Sequence, residues 1–299
     1  MRRELELSGG ARLVLEPGEP LLMGVVNASP ESFSDGAAVG DLERQVQRAR
    51  GLVGQGAALI DVGGESGVTG VSPVSIAEET RRVVGLTERL VAEGVVVSVD
   101  TWKPEVAEAS LAAGAALVND VSGLRDRRVA EVCAAFGAGL VITHTRAEPK
   151  RKEFPDYPDV VADILGFLAE RIEIARGAGV GERSLLLDPG PDLGKRPAET
   201  ISALRALSGV AELGHPILLA VSRKDFIGAL TGRPPRERGA GTLAAIGEGV
   251  DAGAAVLRVH DVEATADFLA VRAALRGAVE VDPDLALPID LRRQVDGVV

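Results

Sequence analysis

Short apolar runs rich in Val, Leu and Ile recur along the chain at 21–27 (LLMGVVN), 58–64 (ALIDVGG), 95–100 (VVVSVD) and 116–121 (ALVNDV). Four more follow at 140–145 (LVITHT), 184–189 (SLLLDP), 216–222 (PILLAVS) and 255–260 (AVLRVH). Each has strand length, and near-continuous apolar content is what parallel strands covered on both faces require. The segments between them carry helical spacing, such as Leu42, Val46, Ala49 and Val53, or Val106, Ala109 and Ala113, and are commonly closed by glycine, as at Gly94 and Gly114. Eight strand-then-helix units predict an α/β fold, a single (β/α)8 TIM barrel spanning residues 1–299. Residues 4–16 (ELELSGGARLVLE) alternate about Gly9-Gly10, which predicts an N-terminal β-hairpin within 1–20 that plugs the barrel floor. The tail 278–299 lacks the repeat and carries two prolines, Pro283 and Pro288, so it reads as a short C-terminal extension on the surface or at a subunit contact.

Composition sharpens this picture. Aromatic residues are only 3% while glycines number 36, so the core must be aliphatic and the turns tight. No apolar run approaches the roughly 18 residues of a membrane span. Lys and Arg number 33 against 44 Asp and Glu, a net charge of −11, which disfavours nucleic acid as a partner and obliges any anionic substrate to find a local cationic site. The one cysteine, Cys133, cannot form an internal disulfide, and Met1-Arg-Arg-Glu leads into polar sequence, so the expected setting is a reduced cytoplasm with a buried thiol.

In such a barrel the chemistry sits at the C-terminal strand ends. Those ends read Asn27; Asp61 and Glu65; Asp100; Asn119 and Asp120; His144; Asp188; Ser222-Arg223-Lys224; and Arg258 with His260 and Asp261. The first six strands supply mainly carboxylates and amides. The last two supply Arg223, Lys224, Arg258 and His260, with Lys195 nearby, where barrels often bind phosphate, so a phosphorylated or diphosphorylated ligand is expected. Asp100, Asn119 and Asp188 would share one mouth. A carboxylate accepts two N–H bonds from an amidine-like edge and an amide offers one donor and one acceptor, so the set suits a nitrogen heterocycle; two carboxylates also suit acid–base work. The segments 27–36 and 63–73 read as loops able to close over a site, and 146–158 as an exposed connection.

Seven ordered stretches resemble dihydropteroate synthases. They are MGVVNASPESFSDG (23–36), GAALIDVGGES (56–66), VSVDTWKPEVA (97–107), LVNDVSGL (117–124), LLLDPGPDLGK (185–195), SRKDFIG (222–228) and LRVHDV (257–262). The resemblance implies an often dimeric barrel enzyme joining 6-hydroxymethyl-7,8-dihydropterin diphosphate to para-aminobenzoate, with release of diphosphate. It implies catalytic roles for Asp100, Asp188, Lys224 and Asp35. It places Asn27, Phe33, Asn119, Arg258 and His260 against the substrates, with Asn27 also touching a magnesium ion. The chain departs from the family pattern at Gly67-Val68-Thr69-Gly70, where Thr-Arg-Pro-Gly is usual, at Thr143 and Thr145, at Asp192-Leu193, and at Asp225, beside which an aminobenzoate carboxylate would dock. Those departures keep a second reading open: a divergent paralogue that binds a pterin or a diphosphate without efficient synthase activity.

Overall fold

Strand β3 (Leu21–Asn27) and strand β10 (Ala254–Val259) hydrogen-bond to each other, and that pairing closes an eight-stranded parallel barrel. The intervening staves are β4 (Leu59–Gly63), β5 (Val97–Asp100), β6 (Leu117–Asp120), β7 (Gly139–Thr143), β8 (Leu185–Asp188) and β9 (Ile217–Leu219), each beside its sequence neighbour. The structure, a computed structural model, describes residues 2–28, 42–65, 72–288 and 291. Each predicted apolar run contains one barrel strand, because a stave covered inside and outside favours apolar side chains on both of its faces.

Helices α1 (Leu42–Gly54), α2 (Ile76–Ala92), α3 (Pro104–Ala112), α4 (Arg128–Phe136) and α5 (Val160–Gly177) cover the first half of the barrel, followed by α6 (Pro197–Arg205) and the short α7 (Leu207–Ala211). The second half carries α8 (Asp225–Thr231), α9 (Gly239–Asp251) and α10 (Val262–Leu275). Local chemistry sets several starts: Ser75 caps α2 through Glu78 N–H, and Asp159 caps α5 through the N–H groups of Val161 and Ala162. The main core lies between staves and helices and is built from Val, Leu, Ile and Ala with few aromatics.

A second core fills the barrel floor. There β1 (Arg3–Glu6) and β2 (Arg12–Leu15) form the predicted antiparallel hairpin, and its Leu5, Leu7 and Leu15 pack with Met23, Leu59, Leu117, Val141, Leu186, Leu218 and Val256. A Cβ on Gly139 would lie 2.3 Å from Leu117 and 2.7 Å from Leu7, so the close approach of the plug depends on a glycine at the start of β7. The plug seals one end of the barrel and leaves the strand C-termini as the open end. Residues 276–288 follow α10 along the surface with exposed side chains, and residues 289, 290 and 292–299 of the predicted tail lie outside the described residues. None of the described helices is long and apolar enough to cross a membrane.

Candidate functional site

Parallel register brings the polar strand ends to one level. Asn27 pairs with Gly63, Gly63 with Asp100, and Asp100 with Asn119, so residues far apart in sequence become neighbours around the mouth. Asn27 ends β3, with Gly63 so close that a Cβ there would meet Asn27 Oδ1 at 3.2 Å.

Asp61 is the hub of the site. It is fully buried, yet Ser98 Oγ donates to its Oδ1 at 2.6 Å, while Arg258 Nε at 2.6 Å and Asn119 Nδ2 at 3.1 Å donate to its Oδ2. Arg258 also donates from Nη2 to Asp100 Oδ2 at 2.7 Å, so one guanidinium bridges two carboxylates. Burial disfavours the charge of Arg258, but Asp61 and Asp100 outweigh it and hold the side chain cationic. Desolvation lifts Asp100 to about 7 against the pull of Arg258.

Across the mouth, Asp188 accepts the Gly190 N–H at 2.7 Å. Burial raises its pKa, opposed by that hydrogen bond and by Lys224 and Lys195. Lys224, at the N-cap of α8, is pushed down by burial and held up mainly by Asp188. The structure therefore gathers Asn27, Asp100, Asn119, Asp188, Lys224 and Arg258 at one end of the barrel. Phe33 and Asp35, and with them most of the loop 27–36, lie outside the described residues, as do Gly67, Val68, Thr69 and Gly70.

Two members of the expected cationic group behave otherwise. His260 receives its environment from Ser222, whose Oγ lies 3.0 Å from Nδ1 and accepts the His260 backbone N–H at 3.2 Å. Burial, reinforced by Arg258 and Arg223, pushes its pKa down to about 3, so at neutral pH it offers a hydrogen bond and no charge. Lys195 is buried and donates to three carbonyl oxygens, those of His144 at 3.1 Å, Gly190 at 2.9 Å and Leu193 at 3.2 Å. It clamps the turn after β8 to the end of β7 instead of facing the mouth, and burial brings its pKa to about 7.

The departures also resolve locally. Asp225 is largely exposed and pairs with Arg238 at 2.9 Å, so its charge is neutralised outside the mouth. Asp192 accepts the Phe226 N–H at 3.1 Å and the Thr200 hydroxyl at 3.0 Å, which fastens the β8 turn to α6 and α8. Its φ of 60° is one that Asp tolerates. Thr143, the last residue of β7, and Thr145 are buried; the Thr145 hydroxyl donates to the Ala147 carbonyl at 3.4 Å, whereas that of Thr143 has no partner among the described residues.

Several residues outside the predicted set organise the rim. Lys103 Nζ donates to Glu65 Oε2 at 2.9 Å, to the Val74 carbonyl at 2.6 Å and to Glu79 Oε2 at 2.5 Å, while Thr101 Oγ donates to the other Glu79 oxygen. Lys150 reaches Glu65 at 3.3 Å, so the connection 146–158 is not wholly exposed: part of it folds inward onto this cluster. At the end of β7, His144 Nε2 meets Asp163 at 2.8 Å. Burial brings its pKa to about 3, which makes it a neutral donor to an ionised partner. Asp61 carried a legible signal, an ionisable residue inside an apolar strand. Glu79, Lys103 and Asp163 lie on or beside helices, where charge is ordinary, and carried none.

A cavity of about 580 Å³ at the opposite end, lined by Arg2, Arg3, Arg176, Arg183 and His215 among others, is self-neutralised. Arg2 pairs with Glu16, Arg183 with Glu6 and Arg176 with Glu182, while Arg3 donates to the Gly214 carbonyl.

The family of pterin binding enzymes matches residues 23–260. A dihydropteroate synthase of Bacillus subtilis is 40% identical over 245 residues, which is 81% of this chain and 84% of that protein. The structure of Xanthomonas albilineans dihydropteroate synthase with 4-aminobenzoic acid superposes with a TM-score of 0.86 at 42% identity, covering 94% of this chain and all of that one. The same enzyme in complex with 7,8-dihydropteroate gives a TM-score of 0.83 at 43% identity, covering 93% of this chain and all of that one.

Proposed function

The chain belongs to the pterin binding enzyme family, and from that premise we infer that it catalyses the dihydropteroate synthase reaction of folate biosynthesis. The exocyclic methylene of 6-hydroxymethyl-7,8-dihydropterin diphosphate loses its C–O bond, the amine nitrogen of para-aminobenzoate forms a new C–N bond to it and gives up one proton, and diphosphate leaves. The observation that carries this reading is one mouth in which Asp100, Asp188 and Asn119 are gathered with the cations Arg258, bonded to Asp100, and Lys224, held up mainly by Asp188.

Asp188 and Asp100 accept ring N–H groups and favour the positive charge that develops on the pterin as the C–O bond breaks. Asn119 and Lys224 complete the ring contacts. Arg258, with N–H groups to spare beyond those given to Asp61 and Asp100, and neutral His260 hold the diphosphate. Among the described residues no group of three His, Cys, Asp or Glu side chains could by itself hold a metal. The amide oxygen of Asn27 fits an ion that takes most of its ligands from phosphate oxygens and water, as magnesium does. Asn27 would hold that ion, and the ion would neutralise the leaving diphosphate. Asp35 and Phe33 are assigned to the same site by motif alone.

A cytoplasmic homodimer belongs to the same proposal. It is supported by the buried, unpaired Cys133 and by the exposed apolar side chains of Val271, Leu275 and Leu285 on and after α10. Sedimentation of the pure protein at micromolar concentration should report a dimer; a monomer would remove that part. The reaction itself is tested by incubating the protein with pterin diphosphate and para-aminobenzoate. Equal amounts of 7,8-dihydropteroate and diphosphate are expected, whereas pterin binding without product would favour the divergent paralogue.

A further inference from the structure

Asn119 is the one ring-reading candidate whose amide has a defined direction before any ligand arrives. Its Nδ2 donates to Asp61 Oδ2 at 3.1 Å, and its Oδ1 is buried without a hydrogen-bond partner among the described residues. The opposite orientation would set an amide oxygen against a carboxylate oxygen that already receives Arg258 Nε at 2.6 Å. Asp61 itself is fully buried on β4 and accepts three hydrogen bonds from Ser98, Asn119 and Arg258, so it presents no exposed atom to a substrate.

We propose that Asp61 is a positioning residue: by holding Nδ2 of Asn119 and Nε of Arg258 it presents the Asn119 Oδ1 as an acceptor for a ring N–H and fixes the plane of the guanidinium. This rests on the pterin reading above. The mouth then presents acceptors at three points, Asp100, Asp188 and Asn119 Oδ1, which selects a heterocycle rich in N–H donors. Of the three, only Asn119 owes its polarity to a neighbour. Asp61 acts through Asn119 and Arg258 and touches neither substrate.

The test uses full-length protein, 6-hydroxymethylpterin as the calorimetric probe, and the side-chain amide signal of Asn119 in ¹⁵N spectra. Asp61→Leu is expected to weaken the pterin by about tenfold or more, the loss that follows when a charge-assisted hydrogen bond is removed. In an Asn119→Ala background the same substitution should add less than about twofold, because the two residues form one unit. Asp61→Asn should restore most of the affinity: its amide oxygen can face Asn119 and Arg258 while its NH2 donates to the Ser98 hydroxyl. Without ligand, the Asn119 amide protons should exchange slowly with solvent in the wild type and in Asp61→Asn, and fast in Asp61→Leu.

Additive losses in the double variant, or Asn119 protons that exchange in the wild type as fast as those of an exposed amide, would overturn the proposal. The second measurement needs no variant, so it decides even where Asp61→Leu fails to fold. A wild-type protein that binds no pterin would sink the functional reading instead, and the ligand-free exchange rates would still report on Asp61.

Discussion

At Asp100 two effects oppose each other. Desolvation favours the neutral acid and Arg258 favours the anion, and the balance sits at about 7, inside the physiological range. The carboxyl must be ionised to accept two N–H groups. Pterin affinity should therefore rise as pH increases from 6 to 8, with an inflection near 7, and Asp100→Asn should lose both the inflection and most of the affinity. Calorimetry across that range checks it, and an inflection retained in the variant would assign the titration to another group. Arg258 gives a complementary prediction. Since it is the cation shared by Asp61 and Asp100, Arg258→Ala leaves a fully buried carboxylate without its counter-ion, and a loss of about 3–5 kcal/mol in unfolding free energy is expected. Denaturant titration measures it; a loss below about 1 kcal/mol, the value of an exposed pair, would mean that this buried contact contributes no more than a surface one.

Among the elements, the hairpin has a purely structural task. Leu7 is buried against the floor of the barrel, so Leu7→Ala should cost about 2–5 kcal/mol of stability. The folded variant should keep the wild-type rate, because the mouth lies at the other end of the staves; a large fall in kcat at temperatures where the variant is folded would show that the floor communicates with the site. The staves and the hairpin were legible because burial on both faces, or on one, writes a pattern into every few residues. What the pattern lacked was the direction of individual side chains. Lys195 sits in a motif next to the phosphate end of the barrel, yet three carbonyls draw it under the turn after β8. Asp225 sits beside Lys224 in sequence, yet Arg238, thirteen residues away, takes its carboxylate outward. His260 reads as a cation until its burial beside Arg258 is known. Each of these outcomes is set by a partner that strand periodicity does not specify.

Considered as one molecule, an acidic protein of net charge −11 keeps its exposed cations largely in surface ion pairs and brings Lys224 and Arg258 to one end of a barrel beside Asp100 and Asp188. The reaction inferred from that arrangement requires the carboxylates of the mouth to read the pterin ring, independently of any diphosphate. Asp188→Asn isolates this requirement. The substitution keeps the shape, and an amide oxygen can still accept the Gly190 N–H, so the fold should survive. Binding of 6-hydroxymethylpterin, which has no phosphate, should fall by about tenfold or more when the two-oxygen acceptor is lost. Wild-type affinity for that ligand in Asp188→Asn, measured by calorimetry on folded protein, would contradict the assignment of this mouth to the pterin.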